Sequence, residues 1–98
     1  MPKPTLEEAM ELLLSAAESD TGQSRRVASF LLAWWNASTC GGFDITDLWA
    51  LDVQLVQAIF VVMATVASNQ VYPDNLGYGD RFKGLIARWR PHLLEGEG

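Results

Sequence analysis

Apolar side chains recur along this chain at helical intervals. Leu6, Met10, Leu13, Leu14 and Ala17 follow the three-and-four spacing that gathers side chains on one face of an α-helix. Thr5 and Glu8 frame its start as a capping box, a hydroxyl that satisfies an early backbone N–H and a carboxylate that reaches back to the cap. Glu7, Glu8 and Glu11 lie toward the positive end of that helix's dipole. The pattern ends near Ser19, and Asp20-Thr21-Gly22 reads as a turn in which either Asp20 or Thr21 caps the next helix.

From about Gln23 to Ala37 a second helix carries two apolar stripes, one through Val27, Phe30, Leu31 and Trp34, the other through Ala28, Leu32 and Trp35. Two stripes require two neighbours. The helix that follows is expected to be one, and either the first helix or a second copy of the protein the other. Cys40-Gly41-Gly42 breaks the pattern, and Phe43 to Trp49 reads as a short helical turn capped by Asp44.

The densest apolar stretch runs from Val53 to Asn69, where Gln54, Gln57 and Thr65 interrupt the hydrophobic positions before the polar end at Ser68 and Asn69. Those interruptions keep the run below the ~18 apolar residues of a membrane span. With no Gly or Pro between Gly42 and Pro73, the stretch reads as helix rather than strand. A helix apolar on nearly every side must be surrounded, so this one is predicted to be central, with Ile59, Phe60 and Met63 fully buried. Beyond it, Tyr72-Pro73-Asp74-Asn75-Leu76-Gly77-Tyr78-Gly79 is rich in turn formers and reads as an ordered loop. Phe82, Leu85, Ile86 and Trp89 then mark a last amphipathic helix that Pro91 stops, before a tail expected to be mobile. The expected architecture is all-α: one domain over residues 1–98, with an ordered core at about 5–91. It is read as a compact bundle of four or five helices around the buried helix at about 53–69, with little or no strand.

Composition sharpens this picture. Apolar residues make up 49% of the chain and include four Trp, generous for 98 residues, so some of that surface is expected to be covered by a second copy or a partner. A homodimer or larger assembly is therefore expected. The net charge is −5, unevenly spread: residues 1–20 hold five acids against Lys3, whereas 81–90 hold Arg81, Lys83, Arg88 and Arg90 and no acid. Overall acidity argues against nucleic-acid or anionic-membrane binding, which needs a positive footprint. The single Cys40 excludes an internal disulfide, and no leader pattern is visible, so a cytoplasmic location is the expectation.

Candidate chemistry is sparse. Asp44, Asp47 and Asp52 are close in sequence, as acid–base or cation sites require, yet each stands where a helix cap is wanted, and capping accounts for them. Cys40 and His92 form no recognisable nucleophile and base, and one Cys with one His cannot make an ordinary zinc site, so no catalytic residue, metal or cofactor is expected. The basic last helix reads as a solvated face matched with the acidic first one. The adjacent Trp34 and Trp35 point about 100° apart on a helix, so they are not expected to face one core element. One of them is assigned to a loop or to the outside.

Asp20 to Ser24, Trp34-Trp35-Asn36, Gly41 to Asp44 with Asp47-Leu48-Trp49, and Tyr72-Pro73-Asp74 with Gly77-Tyr78-Gly79 resemble a family of short bacterial proteins classed as a domain of unknown function. The resemblance spans roughly Leu12 to Pro91. It implies an accessory role in phage, plasmid or integrative elements and carries over no site residue. The expected function is a non-catalytic protein–protein interaction module, an accessory protein or an inhibitor of a host defence system. Its binding surface is expected at Trp35, Asn36, Asp44, Asp47, Trp49, Tyr72, Asp74 and Tyr78, where the Gly41–Trp49 and Tyr72–Gly79 segments would meet. The alternatives are a small-molecule or catalytic pocket at Asn36, Asp44, Asp47, Trp49 and Tyr78, and nucleic-acid binding through the last helix.

Overall fold

Helices form where the periodicity predicts them. The computed structural model describes residues 4–95; of the tail expected to be mobile, Glu95 to Gly98, residues 96–98 lie outside that range. Its elements are α1 (Leu6–Ala17), α2 (Gly22–Cys40), α3 (Val53–Ser68), α4 (Gly79–Trp89) and a short α5 (Pro91–Glu95). Two 3-10 turns, Ile45–Ala50 and Pro73–Leu76, connect them, and no strand occurs among the described residues. Pro91 ends one helix and opens the next, since its locked φ and missing N–H suit a first helical position. Ordered chain therefore continues past the expected limit at 91. No helix among the described residues is long and apolar enough to cross a membrane.

Local capping chemistry sets the boundaries. Thr5 Oγ1 accepts from the Glu8 N–H at 3.2 Å while the Thr5 N–H donates to Glu8 Oε1 at 2.9 Å, completing the expected box. Thr21, not Asp20, caps α2, exchanging hydrogen bonds with Ser24. Asp44 caps the first 3-10 turn through the Thr46 N–H at 3.0 Å. Asp47 is not a cap and pairs with Arg26 at 3.3 Å, while Asp52 stands at the N-cap of α3 as expected but makes no side-chain cap bond, exchanging two hydrogen bonds with Gln23 instead.

The centre of the bundle is α1. It packs against both α2 and α3, and Ala9, Met10, Leu13, Leu14 and Ala17 are fully buried. Both stripes of α2 are satisfied within the chain, because α1 covers one side and α4 the other. That allocation leaves α3 at the edge, with α1 as its principal neighbour. Leu55, Ala58, Ile59 and Val62 are buried, but Val53 is 70% exposed, Phe60 54% and Met63 43%. The expectation of a central, fully surrounded helix at 53–69 is thereby corrected. The apolar density of α3 is real, yet half of it faces outward.

Two features of α2 shape the surface. At Asn36 the backbone turns extended (φ −163°, ψ 88°), and the Asn36 Oδ1 accepts from the Ser38 hydroxyl and the Thr39 N–H. The last turn then folds back, because one guanidinium, that of Arg90, donates both to the Cys40 carbonyl at 2.8 Å and to Ser29 Oγ at 3.4 Å. On an unbroken helix those residues would stand about 16 Å apart. Gly41, at φ 97°, carries the chain onward through a conformation that a Cβ disfavours, and Phe43 meets Phe30 edge-on at 5.5 Å between ring centres. The second feature is the tryptophan pair. Both rings converge on Phe82, Trp34 at 6.0 Å and Trp35 at 5.3 Å, contrary to the expected divergence. Side chains this long bend toward a ring lying between their two directions.

The acidic first helix and the basic last one are matched as expected. The Arg81 guanidinium pairs with Glu18 at 2.9 Å and with Glu11. The Arg81 hydrogen bond holds the Glu18 carboxyl below its usual range. The C-terminus of α1 has no basic residue in its own last turn, and α4 supplies the missing donors. The Trp89 indole N–H donates to the Ala17 carbonyl and Arg88 to the Ser19 carbonyl, each at 2.8 Å.

Candidate functional site

Trp34 lines three hollows in the surface. Its indole N–H donates to the Val71 carbonyl at 3.0 Å, tying α2 to the loop after α3. Three hollows share this residue. An apolar one of about 430 Å³ lies between α2, α3 and the start of the first 3-10 turn, lined by Phe30, Phe43, Ile45, Met63 and Ala67 among others. A second, about 480 Å³, is bounded by Val66, Gln70, Val71 and Tyr72. The third, about 600 Å³, lies at the break in α2 and is lined by Trp35, Asn36, Ser38, Tyr72 and Asp74. Val66 joins the first hollow to the second and Tyr72 joins the second to the third, so they form one groove with an apolar end and an acidic end.

Four of the eight candidate residues come together here: Trp35, Asn36, Tyr72 and Asp74 line the third hollow. They meet because Trp34 anchors the 71–72 backbone beside the point where α2 breaks. The other four are placed elsewhere. Asp44 accepts from the Thr46 hydroxyl and N–H, which lowers its carboxyl below the ordinary range. Asp47 is held by Arg26. Trp49 is 86% exposed and packs under neither connection. The Tyr78 phenol is pushed up by burial and by Glu7 and Glu11 of α1, and Tyr78 does not line the third hollow. The two connections therefore do not meet at one cluster; Phe43 and Ile45 stand at one end of the groove, Tyr72 and Asp74 at the other.

Sequence reasoning missed Trp34, Met63 and Val66 as groove residues, because each belongs to a helical stripe or an apolar run that reads as core, and it gave Val71 no role. The one signal for Trp34 was its adjacency to Trp35.

Each group with chemical potential has a structural task. Cys40 is buried and burial pushes its thiol up, opposite to what a nucleophile needs. Among the described residues no three His, Cys, Asp or Glu side chains gather as a metal ion requires. Arg26, Arg81, Arg88 and Arg90 are engaged with Asp47, Glu11, Glu18, Asp20 and backbone carbonyls, which takes up most of the cations a phosphate-binding face would use. No curated protein and no solved structure matches the chain. Residues 7–90 match the model of a family of unknown function, DUF7673, and the chain belongs to that family.

Proposed function

We propose that this protein is a non-catalytic protein–protein interaction module whose partner lies in the groove centred on Trp34. The observation that carries the reading is the continuity of three hollows past one tryptophan, from an apolar end at Ile45 and Met63 to an acidic end at Asp74. Aromatic side chains on anchored segments give binding energy at low entropic cost, and an apolar groove ending in a carboxylate suits a segment with apolar residues followed by Lys or Arg. The capped and paired state of Asp44, Asp47 and Asp52 and the buried thiol of Cys40 favour binding over catalysis. The resemblance to proteins of bacterial mobile elements supplies the context: an accessory protein or inhibitor that acts in the cytoplasm by occupying a host protein.

The test is cross-linking and affinity capture from the native host with wild type and with a Tyr72→Ala/Asp74→Lys double variant. Both positions are exposed, so thermal unfolding is expected to be unchanged. A partner held by the wild type and weakened at least ~10-fold by the variant supports the groove. Equal capture by both proteins refutes it.

A further inference from the structure

The outward half of α3 follows a rule of its own. Val53, Val56, Phe60, Met63 and Ala67 recur at intervals of three and four residues, the spacing of the a and d positions in helix–helix seams. The inner row, Leu55, Ala58, Ile59 and Val62, is buried in the core beside α1. Of the outer row, Val53, Phe60, Met63 and Ala67 are exposed and Val56 is half-buried. Trp49, in the 3-10 turn before α3 and separated from Val53 by the extended residues Leu51 and Asp52, is the most exposed large apolar side chain of the described residues. No charged residue occurs from Val53 through Pro73. A helix that faced only water would carry charge on its outer side.

We propose that this row is the contact between two copies of the chain, α3 against α3, antiparallel about a two-fold axis near Phe60. Charge selects a second copy over a foreign helix. In helix pairs the residues flanking the seam encode partner choice, and here the exposed flank is Gln57 and Ala64, which neither repel an identical helix nor recruit a charged one. Size selects the direction. Phe60 is the middle of the row and meets its own counterpart, Val56 faces Met63 and Val53 faces Ala67. An antiparallel pair also keeps Asp47 and Asp52 of one copy at the opposite end from those of its partner, whereas a parallel pair would set them side by side within a chain of net charge −5.

A helix of 16 residues is about 24 Å long and about 11 Å across, so its outer half offers roughly 400 Å². Two copies then bury ~800 Å², the scale of a weak, concentration-dependent dimer. The contact shares Met63 and Ala67 with the groove's apolar end and leaves the acidic end at Tyr72 and Asp74 open, so the variants below are kept to Phe60 and Val53, outside the groove.

Sedimentation velocity of the full chain over a concentration series decides the matter, with circular dichroism to confirm folding. The wild type is expected to pass from the monomer mass of 10.8 kDa to twice that value. Phe60→Glu, and separately Val53→Glu at the most exposed large apolar side chain of α3, are expected to weaken association at least ~100-fold while remaining helical. Because Phe60 faces its own counterpart, mixing Phe60→Glu with Phe60→Lys is expected to restore the dimer. A wild type that stays monomeric throughout, or a dimer that both glutamate variants leave intact, overturns the proposal. Failure of the mixed pair to associate, with the wild type dimeric, overturns the antiparallel register. Loss of partner capture in the Tyr72→Ala/Asp74→Lys protein leaves this measurement unaffected.

Discussion

Ile59 and Phe60 are neighbours on α3, equally apolar, yet the fold sends them in opposite directions, and this difference can be weighed in solution. Ile59 is fully buried, so Ile59→Ala removes three carbons from the core. At ~0.8 kcal/mol per buried carbon the transfer part is about 2.4 kcal/mol, and the cavity left behind raises the total toward ~3 kcal/mol. Phe60 is 54% exposed and its loss opens no cavity. About half of the ~2 kcal/mol of a fully buried phenylalanine is at stake, roughly 1 kcal/mol. The two variants should therefore differ by ~2 kcal/mol, or about 8–16 °C in melting temperature for a domain of this size. Urea unfolding followed by circular dichroism measures the difference, at protein concentrations low enough that self-association makes no contribution. Equal destabilisation by the two changes would restore α3 to the centre of the bundle and refute the placement described here.

Two further outcomes are expected from the packing of α1 and α4. The Cys40 thiol, buried and with its pKa raised by that burial, should react with an aromatic disulfide reagent at least ~100-fold more slowly in the native protein than in urea, and near-equal rates would contradict its position under the Arg90 side chain. The Arg81 pair should be pH-dependent. Since the Arg81 hydrogen bond lowers the Glu18 pKa on folding, its stabilisation is full above the ordinary value of 4.5 and fades as pH falls through the lowered one. Arg81→Met should cost under about 1 kcal/mol at neutral pH, because Glu18 is 44% exposed, and less still in acid. A cost that does not change with pH would show that the pair contributes packing alone.

What could be read from the sequence was local, and the reason is the range of the interactions concerned. Thr5 with Glu8 and Asp44 with Thr46 are hydrogen bonds closed within a few residues, so residue type and spacing determine them. The matching of acidic α1 with basic α4 was legible for a related reason, because a block of like charge needs an opposite block. The groove was half legible. Tyr72 and Asp74 share a loop and Trp35 and Asn36 share a helix, but their meeting depends on the Trp34 to Val71 hydrogen bond, which links positions 37 residues apart. Asn36 gave no warning, since asparagine is tolerated within a helix and becomes a break only where its side chain caps the turn that follows.

The placement of α3 was misread for a reason that bears on how such a helix is used. Periodicity reports that a row of side chains avoids water; it does not report what shields the row. On α3 both rows, Leu55 to Val62 and Val53 to Ala67, satisfy the same test. With α1 and α4 already covering the two sides of α2, the chain has enough helices to bury only one of them. A row that keeps the spacing of a buried seam while lying open, with no charge on a run of 16 helical residues, has been shaped by something other than solubility. On the proposal made above the cover is an identical helix, which the neutral flanks at Gln57 and Ala64 do not repel.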